Sequence, residues 1–587
     1  MSPTNSYTYL YLPNECWESV FKFLFNDDDD DNNRHRLLES LSLLSKQFLS
    51  ITNPLLLSLT FYDPARPYLS RLFHRFTKLT SLDFSFYNGD LDALLTRISR
   101  FSLHLTSLNL SNKPNIPADG LRAFSKKIKT LTSLTCSNVH SINSTDLFLI
   151  AHSFPLLEEL DLSNPINCKN YNGFLDAIKA LSLALSKLRK INLSRHCYLN
   201  NQSVYHLFKN CMLLGEVILF KCYGVTCDGI AFSLLERPKL WSLSFSNTTF
   251  GSARFGTKVT SLFSDSLVSC LNGLTCLDLS SLSISDELLT SIAREVLPLK
   301  RLVLQNCTGY NFAGILSLLS KCQSIQYLDL QNAEFMTDHR VAKISLLLGD
   351  LVSINLSECR KLTNSALLAL VSNCPLLSEI KMEHTSIGKN IAKNSNDLID
   401  FGLNPQLKSL YLAHNSWLRD ENLILFASIL PNLQLLDLSD CDCISEEGIC
   451  EVLKRCCKIK HLNLAKCNVV RLLGLNFEVS NLEVLNLSDT NVEDETLYTI
   501  SKNCCGLLQM ILEKCLLVTM NGVKHVVKNC TQLREINLRD CIKVHMHAIS
   551  VSLMVFSRPS LRKITTPPSF HLNEKKKVNS HQLCIVW

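Results

Sequence analysis

Glycine and proline are scarce in this chain of 587 residues, at 18 and 17. Flexible connectors draw on both, so their rarity argues against several domains strung on soft linkers. No run of about 18 uninterrupted apolar residues exists, and no membrane-spanning helix is expected. The N-terminus lacks a basic region, and Asn14, Glu15, Glu18 and Lys22 interrupt its apolar stretch. A secretory leader is therefore not expected. Charge of one sign is also in short supply. A net charge of +6 and a pI near 8.3 are mild for this length and give no nucleic-acid footprint. A Gly-rich phosphate loop, a His/Glu metal pair and a nucleophile setting are all missing, so no enzyme and no cofactor are expected. The chain is nonetheless no disordered polymer, with 46% hydrophobic residues, 19% charged residues and a mean hydropathy of +0.11.

What is there is a repeat. The stretches LQLLDLSDC from Leu433, IKHLNLAKC from Ile459 and LREINLRDC from Leu533 share L-x-x-L-x-L-x-x-C/N. The pattern starts nineteen times, at residues 79, 105, 131, 157, 188, 214 and onward to 533 and, more weakly, 561, with 26 the commonest spacing. A period in the twenties with this pattern is the leucine-rich-repeat signature. In L-x-L the leucines face one way and their neighbours the other, as in a strand. Helical spacing follows each strand: in SEEGICEVLKRC, Ile449, Val452, Leu453 and Cys456 share one face. One strand-plus-helix unit cannot bury its own apolar face, so the units must stack. The expected fold is an α/β leucine-rich-repeat solenoid, a horseshoe with a parallel sheet on its concave face, over residues 79–570.

Twenty-five cysteines suggest chemistry, yet they sort by repeat position. Cys222, Cys307, Cys359, Cys441, Cys467, Cys515 and Cys541 sit eight residues after the first leucine. Cys211, Cys322, Cys374, Cys456, Cys504 and Cys530 sit three before it. A small, weakly polar side chain recurring at fixed turns is a packing element. Zinc ligation needs clusters with His/Cys spacing, and these positions offer none. No metal is expected.

Residues 12–24, LPNECWESVFKFL, break the rule. Trp17, Val20/Phe21 and Leu24 follow i, i+3/i+4, i+7, a short amphipathic helix with Pro13 and Glu15 at its entry. RLLESLSLLSKQFLSI, residues 36–51, carries a second stripe of Leu38, Leu41, Leu44 and Phe48. DDDDDNN between them reads as a solvated linker. Such helices hold more large apolar side chains than a unit of this size can bury alone. They form either a cap on the first repeat or a docking module with apolar surface left for a partner.

This segment resembles an F-box, whose usual form is L-P-x-E-x-x-x-x-I/V-x-x-x-L followed by L-x-x-L-x-x-V-x-K/R-x-F/W. Leu12, Pro13, Glu15, Val20, Leu24, Leu41, Leu44, Lys46 and Phe48 match as they stand. Leu44 stands where valine is usual, Ser45 where cysteine is common, and the loop between the first two helices is longer. With the Cys-containing repeats, the whole chain resembles the F-box/leucine-rich-repeat proteins, with a layout similar to the plant hormone receptors among them. That resemblance implies a substrate receptor of a Skp–cullin–F-box ubiquitin ligase in the nucleus or cytoplasm, itself non-catalytic. A small all-α F-box over residues 11–52 would bind the Skp-family adaptor, and through it the cullin scaffold. The contact residues would be Leu12, Pro13, Trp17, Val20, Phe21, Leu24, Leu38, Leu41, Leu44 and Phe48. The alternatives are a repeat scaffold that uses the front helices as a cap, and an F-box co-receptor for a small hormone. Residues 1–10 are expected to be disordered and 53–78 to connect the F-box to the repeats and cap the N-terminal end of the solenoid.

A protein substrate would meet the outward positions of the strands, where ten acids face five bases. That lean favours a neutral-to-basic target segment, although a generic solvated sheet face fits equally well. The candidates are Arg301, Asp329, Glu379, Lys381, Glu383, Tyr411 and Asp437. Three repeats are long, at 31, 34 and 30 residues from Leu157, Leu240 and Leu377, and such insertions go to rim loops. The second contributes Phe250, Arg254, Phe255 and Lys258. Only Arg301 and Arg539 supply outward arginines, in distant repeats, so the hormone receptors' inositol-phosphate site is not carried over. The tail, 571–587, ends Cys584-Ile585-Val586-Trp587, which has a C-a-a-X outline with an unusual last residue; a frayed end is the default.

Overall fold

The computed structural model describes residues 12–24, 37–38, 40–61, 69–167, 173–236, 239–246, 258–270, 272–389, 403–467, 472–547, 554, 557–558, 560–570 and 584–586. The chain divides into two compact units, Met1–Leu214 and Gly215–Trp587. In the first, strands β1 (Ser58–Thr60), β2 (Ser81–Asp83), β3 (Ser107–Asn109), β4 (Ser133–Thr135), β5 (Glu159–Asp161) and β6 (Lys190–Asn192) pair in sequence order. All are parallel, and the register sets Leu59, Leu82, Leu108, Leu134, Leu160 and Ile191 side by side.

The second unit continues the same rule. It holds β7 (Glu216–Phe220), β8 (Ser242–Ser246), β9 (Cys276–Asp278), β10 (Arg301–Val303), β11 (Tyr327–Asp329), β12 (Ser353–Asn355) and β13 (Glu379–Lys381). After these come β14 (Ser409–Tyr411), β15 (Leu435–Asp437), β16 (His461–Asn463), β17 (Val484–Asn486), β18 (Gln509–Ile511), β19 (Glu535–Asn537), β20 (Lys563–Thr565) and β21 (Cys584–Val586). A helix follows most strands, such as Asn364–Asn373 after β12 and Glu446–Arg455 after β15. Each unit is a leucine-rich-repeat stack.

Every one of the nineteen starts read from the sequence carries a strand two residues on. Two strands were not expected. Leu56-Leu57-Ser58-Leu59-Thr60-Phe61 repeats the rule once more and forms β1, so the array begins inside the segment assigned to a connector. Phe61 replaces the last leucine and the spacing to Leu79 is short, which hides this repeat. At the other end Cys584–Val586 pairs with β20 as β21, where a frayed tail was expected.

The turn after each strand explains the rest of the pattern. The strand's third residue is often Asp or Asn, and its Oδ1 accepts from the backbone N–H two residues on: Ser85 to Asp83 at 2.7 Å, Ser163 to Asp161 at 2.8 Å, Ser357 to Asn355 at 3.0 Å. This is a side-chain-closed turn. The seventh residue after the first leucine then takes a left-handed conformation, as at Asn112 (φ 60°), Asn332 (φ 64°) and His384 (φ 55°). Asn tolerates it, while other residues carry a cost of about 1–2 kcal/mol. Its N–H donates to the next repeat, Asn112 to Ser137 O at 3.0 Å and His384 to Ala413 O at 2.9 Å, and this holds the turn.

The next position must donate a hydrogen bond into the preceding repeat. Cys441 Sγ donates to Leu412 O at 3.3 Å, Cys467 to Leu438 O at 3.1 Å and Cys541 to Leu512 O at 2.9 Å. His196 takes the same place against Leu162 O at 2.8 Å. The cysteines are packing elements that also satisfy a buried carbonyl. Burial pushes the Cys359, Cys374 and Cys541 thiols up to about 12. They are inert at neutral pH.

Candidate functional site

The front segment builds a small aromatic core. Asn14–Phe23 forms the first helix, with Cys16 N–H donating to Pro13 O at 3.1 Å at its entry. Residues 37–38 and 40–42 are helical, and Lys46–Thr52 forms a further helix. Ser45, at the position where the F-box pattern favours cysteine, caps that helix: its Oγ accepts from Phe48 N–H at 3.0 Å. Trp17 and Phe48 rings lie 4.9 Å apart, and Phe21 meets Phe48 edge-on at 5.0 Å. Gln47 Nε2 donates to Asn14 Oδ1 at 3.0 Å and ties the helices at the surface. Arg75 Nε donates to Asn53 Oδ1 at 2.8 Å and fastens this unit to the first repeats.

This core divides the ten residues assigned to adaptor contact. Phe21 is 1% exposed and Leu38 3%, packed with Ile51 and Leu55; Trp17, Leu41 and Phe48 are half-buried against them. Phe21 and Leu38 are therefore framework, not contact surface. Leu12, Pro13, Val20, Leu24 and Leu44 are exposed. Two side chains outside the set are more exposed than any of these large ones: Phe23 at 87% and Leu43 at 82%. Both lie just off the helical stripes, which is why periodicity passes over them. Burying a side chain of this size is worth about 1.5–3 kcal/mol. The segment leaves several such terms unused.

On the repeats, Phe250, Arg254 and Phe255 lie outside the described residues. Lys258 is exposed and bridges Ser283 in parallel fashion. The remaining candidates come together on neighbouring strands of the second unit, β10 to β15. Arg301 is exposed, its guanidinium carbon 3.6 Å from the centroid of the Tyr327 ring. Lys381 Nζ lies 3.4 Å from Glu379 and 5.0 Å from the Tyr411 ring centroid. His384 and His414 rings lie 5.6 Å apart, and His414 Nδ1 meets Asp440 at 2.6 Å.

Asp329 and Asp437 change role. Asp329 Oδ1 accepts from Gln331 N–H at 2.9 Å and Oδ2 from Asn355 Nδ2 at 2.9 Å. Asp437 Oδ1 accepts from Ser439 N–H at 2.9 Å and Oγ at 2.7 Å, and its Oδ2 from Asn463 Nδ2 at 2.9 Å. Both carboxylates close turns and brace neighbouring strands. Burial raises the Asp329 pKa despite these bonds. Asp83, Asp161 and Asp278 close turns in the same way, so five of the ten outward acids are structural. The acidic lean read from counting shrinks accordingly. Glu383 differs: it is half-buried, and its carboxylate accepts no hydrogen bond among the described residues. Burial, then the Asp437 charge, raises its pKa. Tyr327 was readable from the outward pattern; His384, His414 and Asp440 sit one position past it and were missed.

Among the described residues, no group of three or more His, Cys, Asp or Glu could hold a metal ion. No helix among them is long and apolar enough to cross a membrane.

No family model matches the chain. Over 165 residues it is 28% identical to F-box/LRR-repeat protein 4 of Bos taurus, covering 27% of this chain and 26% of that one. Over 169 residues it is 24% identical to BTB/POZ domain-containing protein FBL11 of Arabidopsis thaliana, covering 29% and 16%. The matches thus span about a quarter or less of these curated relatives' length. Among solved structures, the Rad7 and Elc1 complex in yeast aligns with a TM-score of 0.45 at 18% identity, over 69% of this chain and 84% of that one. The TLR13–ssRNA13 complex aligns at 0.45 and 14%, over 88% and 78%. The chain is similar in sequence to F-box/leucine-rich-repeat proteins, and its strand register makes it a leucine-rich-repeat protein in fold.

Proposed function

We propose that the chain is the substrate-recognition subunit of a Skp–cullin–F-box ubiquitin ligase, acting in the nucleus or cytoplasm. The front helices dock on the Skp-family adaptor, which links them to the cullin scaffold. The outward strand face and rim loops of the repeats hold a protein target. The chain performs no bond-making step; it brings the target to the enzyme that does.

One observation carries this reading. The front segment forms its own aromatic core around Phe21, yet exposes Leu12, Val20, Phe23, Leu24, Leu43 and Leu44. A cap needs one apolar face, turned to the repeats, whereas a docking module keeps a second face for a partner. The F-box likeness of residues 12–48 and the curated F-box/LRR relative support the same assignment. The test is co-precipitation of the tagged full-length chain from cells, probed for cullin. Wild type should bring down cullin through the adaptor, and charge replacement at Leu12, Val20 and Leu24 should abolish it. Wild type that captures neither adaptor nor cullin would leave a repeat scaffold with a helical cap.

A further inference from the structure

The outward strip on β10 to β13 has two unlike ends. At one, stacking of the Arg301 guanidinium on Tyr327 holds the planar fork in a single orientation. Among the described residues Arg301 forms no ion pair, so an exposed, pre-oriented cation faces solvent. At the other end is Glu383, half-buried, without a hydrogen bond to its carboxylate and beside the Asp437 charge. Lys381 pairs with Glu379 at 3.4 Å while its charge also reaches Glu383, and His414 Nδ1 lies 2.6 Å from Asp440.

Between the ends the surface carries the half-buried Gln305 and Gln331, the Glu358 carboxylate and the Glu379–Lys381 pair. On β12 and the turn after it, Ser353 is half-buried and donates to Glu379 at 2.8 Å, while Asn355 and Ser357 are buried beneath the strip. Gln305 donates to Gln331 at 2.7 Å, and Gln331 in turn donates to Glu358 at 3.2 Å. The half-buried Gln305 and Gln331 amides suit a peptide backbone, which offers one donor and one acceptor per residue.

Distance sets the ligand's length. Arg301 and Glu383 are three strand spacings apart, about 14 Å, and Glu383 lies four residues past the register partner of Arg301, two of them in the turn after β13, so at most about 13 Å along the strand direction. The diagonal is at most about 19 Å, which an extended chain covers in about six residues.

We propose that this strip binds an extended segment of a partner protein carrying an acidic side chain for Arg301 and a basic one for Glu383, about six residues apart. Small or polar residues lie between them. The segment crosses the strands obliquely. This rests on reading the repeats as the target-holding half of the protein, and it narrows the target to one with this paired charge spacing.

A random twelve-residue display library panned on the full-length chain tests it. Wild type should enrich peptides with one acid and one base five to seven positions apart. R301E should replace the acid by a base in the enriched set, and E383K should replace the base by an acid. A labelled wild-type winner should bind each reversed chain about tenfold or more weakly by fluorescence anisotropy. No acid–base spacing on wild type, or the same enriched set on all three chains, overturns the proposal. Both reversals should leave adaptor capture intact. A wild type that selects the spaced motif but captures no adaptor refutes the ligase assignment and leaves the strip's specificity standing.

Discussion

In the repeats Leu82, Leu108, Leu134 and Leu160 are buried almost completely, and their strand neighbours are mostly small and polar. In the front segment Phe21 is equally buried, but Phe23, two residues on in the same helix, stands in solvent with Leu43 and Leu44. The same residue types thus serve opposite ends a few dozen residues apart. Within the repeats the leucines of each strand are covered by their neighbours, and exposed apolar side chains such as Ile166, Met212 and Leu346 lie off the strands. The front helices have too few partners for their apolar load, the feature on which the proposed docking role rests.

The sharpest way to break this contrast is to charge the exposed face alone. Phe23→Asp with Leu43→Asp should weaken adaptor binding by about a hundredfold or more, since two central apolar anchors at about 2 kcal/mol each are lost. The melting temperature of the full chain should hardly move. Phe21→Ala should instead cost the front segment about 3–5 kcal/mol, seen as loss of hydrogen-exchange protection over residues 14–23.

Next in size is a contrast on the outward strand face of the second unit. Asp437→Ala removes the acceptor of three hydrogen bonds and should destabilise the second unit by about 1–3 kcal/mol in urea unfolding. Arg301→Ala, at an exposed site, should stay within about 0.5 kcal/mol. Equal effects would erase the distinction between turn-closing acids and free outward charges.

A third test reads the thiols. With a thiol-reactive probe at pH 8 on native protein, Cys16, Cys197, Cys443 and Cys457 should label fast, being exposed. Cys359, Cys374 and Cys541 should react only on unfolding, because burial holds them near pKa 12.

The smallest effect concerns Glu383. Its pKa is raised on folding by burial and by Asp437, so the folded state binds this proton more tightly than the unfolded one. Its ionisation therefore costs stability as pH rises above the ordinary carboxylate range. Glu383→Gln should stabilise the second unit at pH 7 by no more than about 1 kcal/mol, given its exposure, and the gain should vanish near pH 4. A gain that grows as pH falls would reverse the sign of this account.

How much was legible follows from the same contrast. Strand positions were readable because period-two burial and a fixed turn recur from Leu79 to Leu561. The role of the outward aspartates was not, since Asp437 and Glu383 look alike as letters and differ only in hydrogen bonding. The front helices were recognisable from Leu12, Pro13 and the two stripes. Which of their residues face out depended on how Trp17, Phe21 and Phe48 pack, and the resemblance assigns the buried Phe21 to adaptor contact. β1 escaped notice because Phe61 and a short spacing disguise its repeat.

The central claim is that the front segment is a docking surface, not a cap. Titrating purified Skp-family adaptor into the full-length chain by calorimetry tests it most directly. The account predicts one-to-one binding to wild type and binding about a hundredfold or more weaker to the Phe23→Asp, Leu43→Asp chain of unchanged melting temperature. No heat with wild type, or the same affinity in both chains, would contradict it.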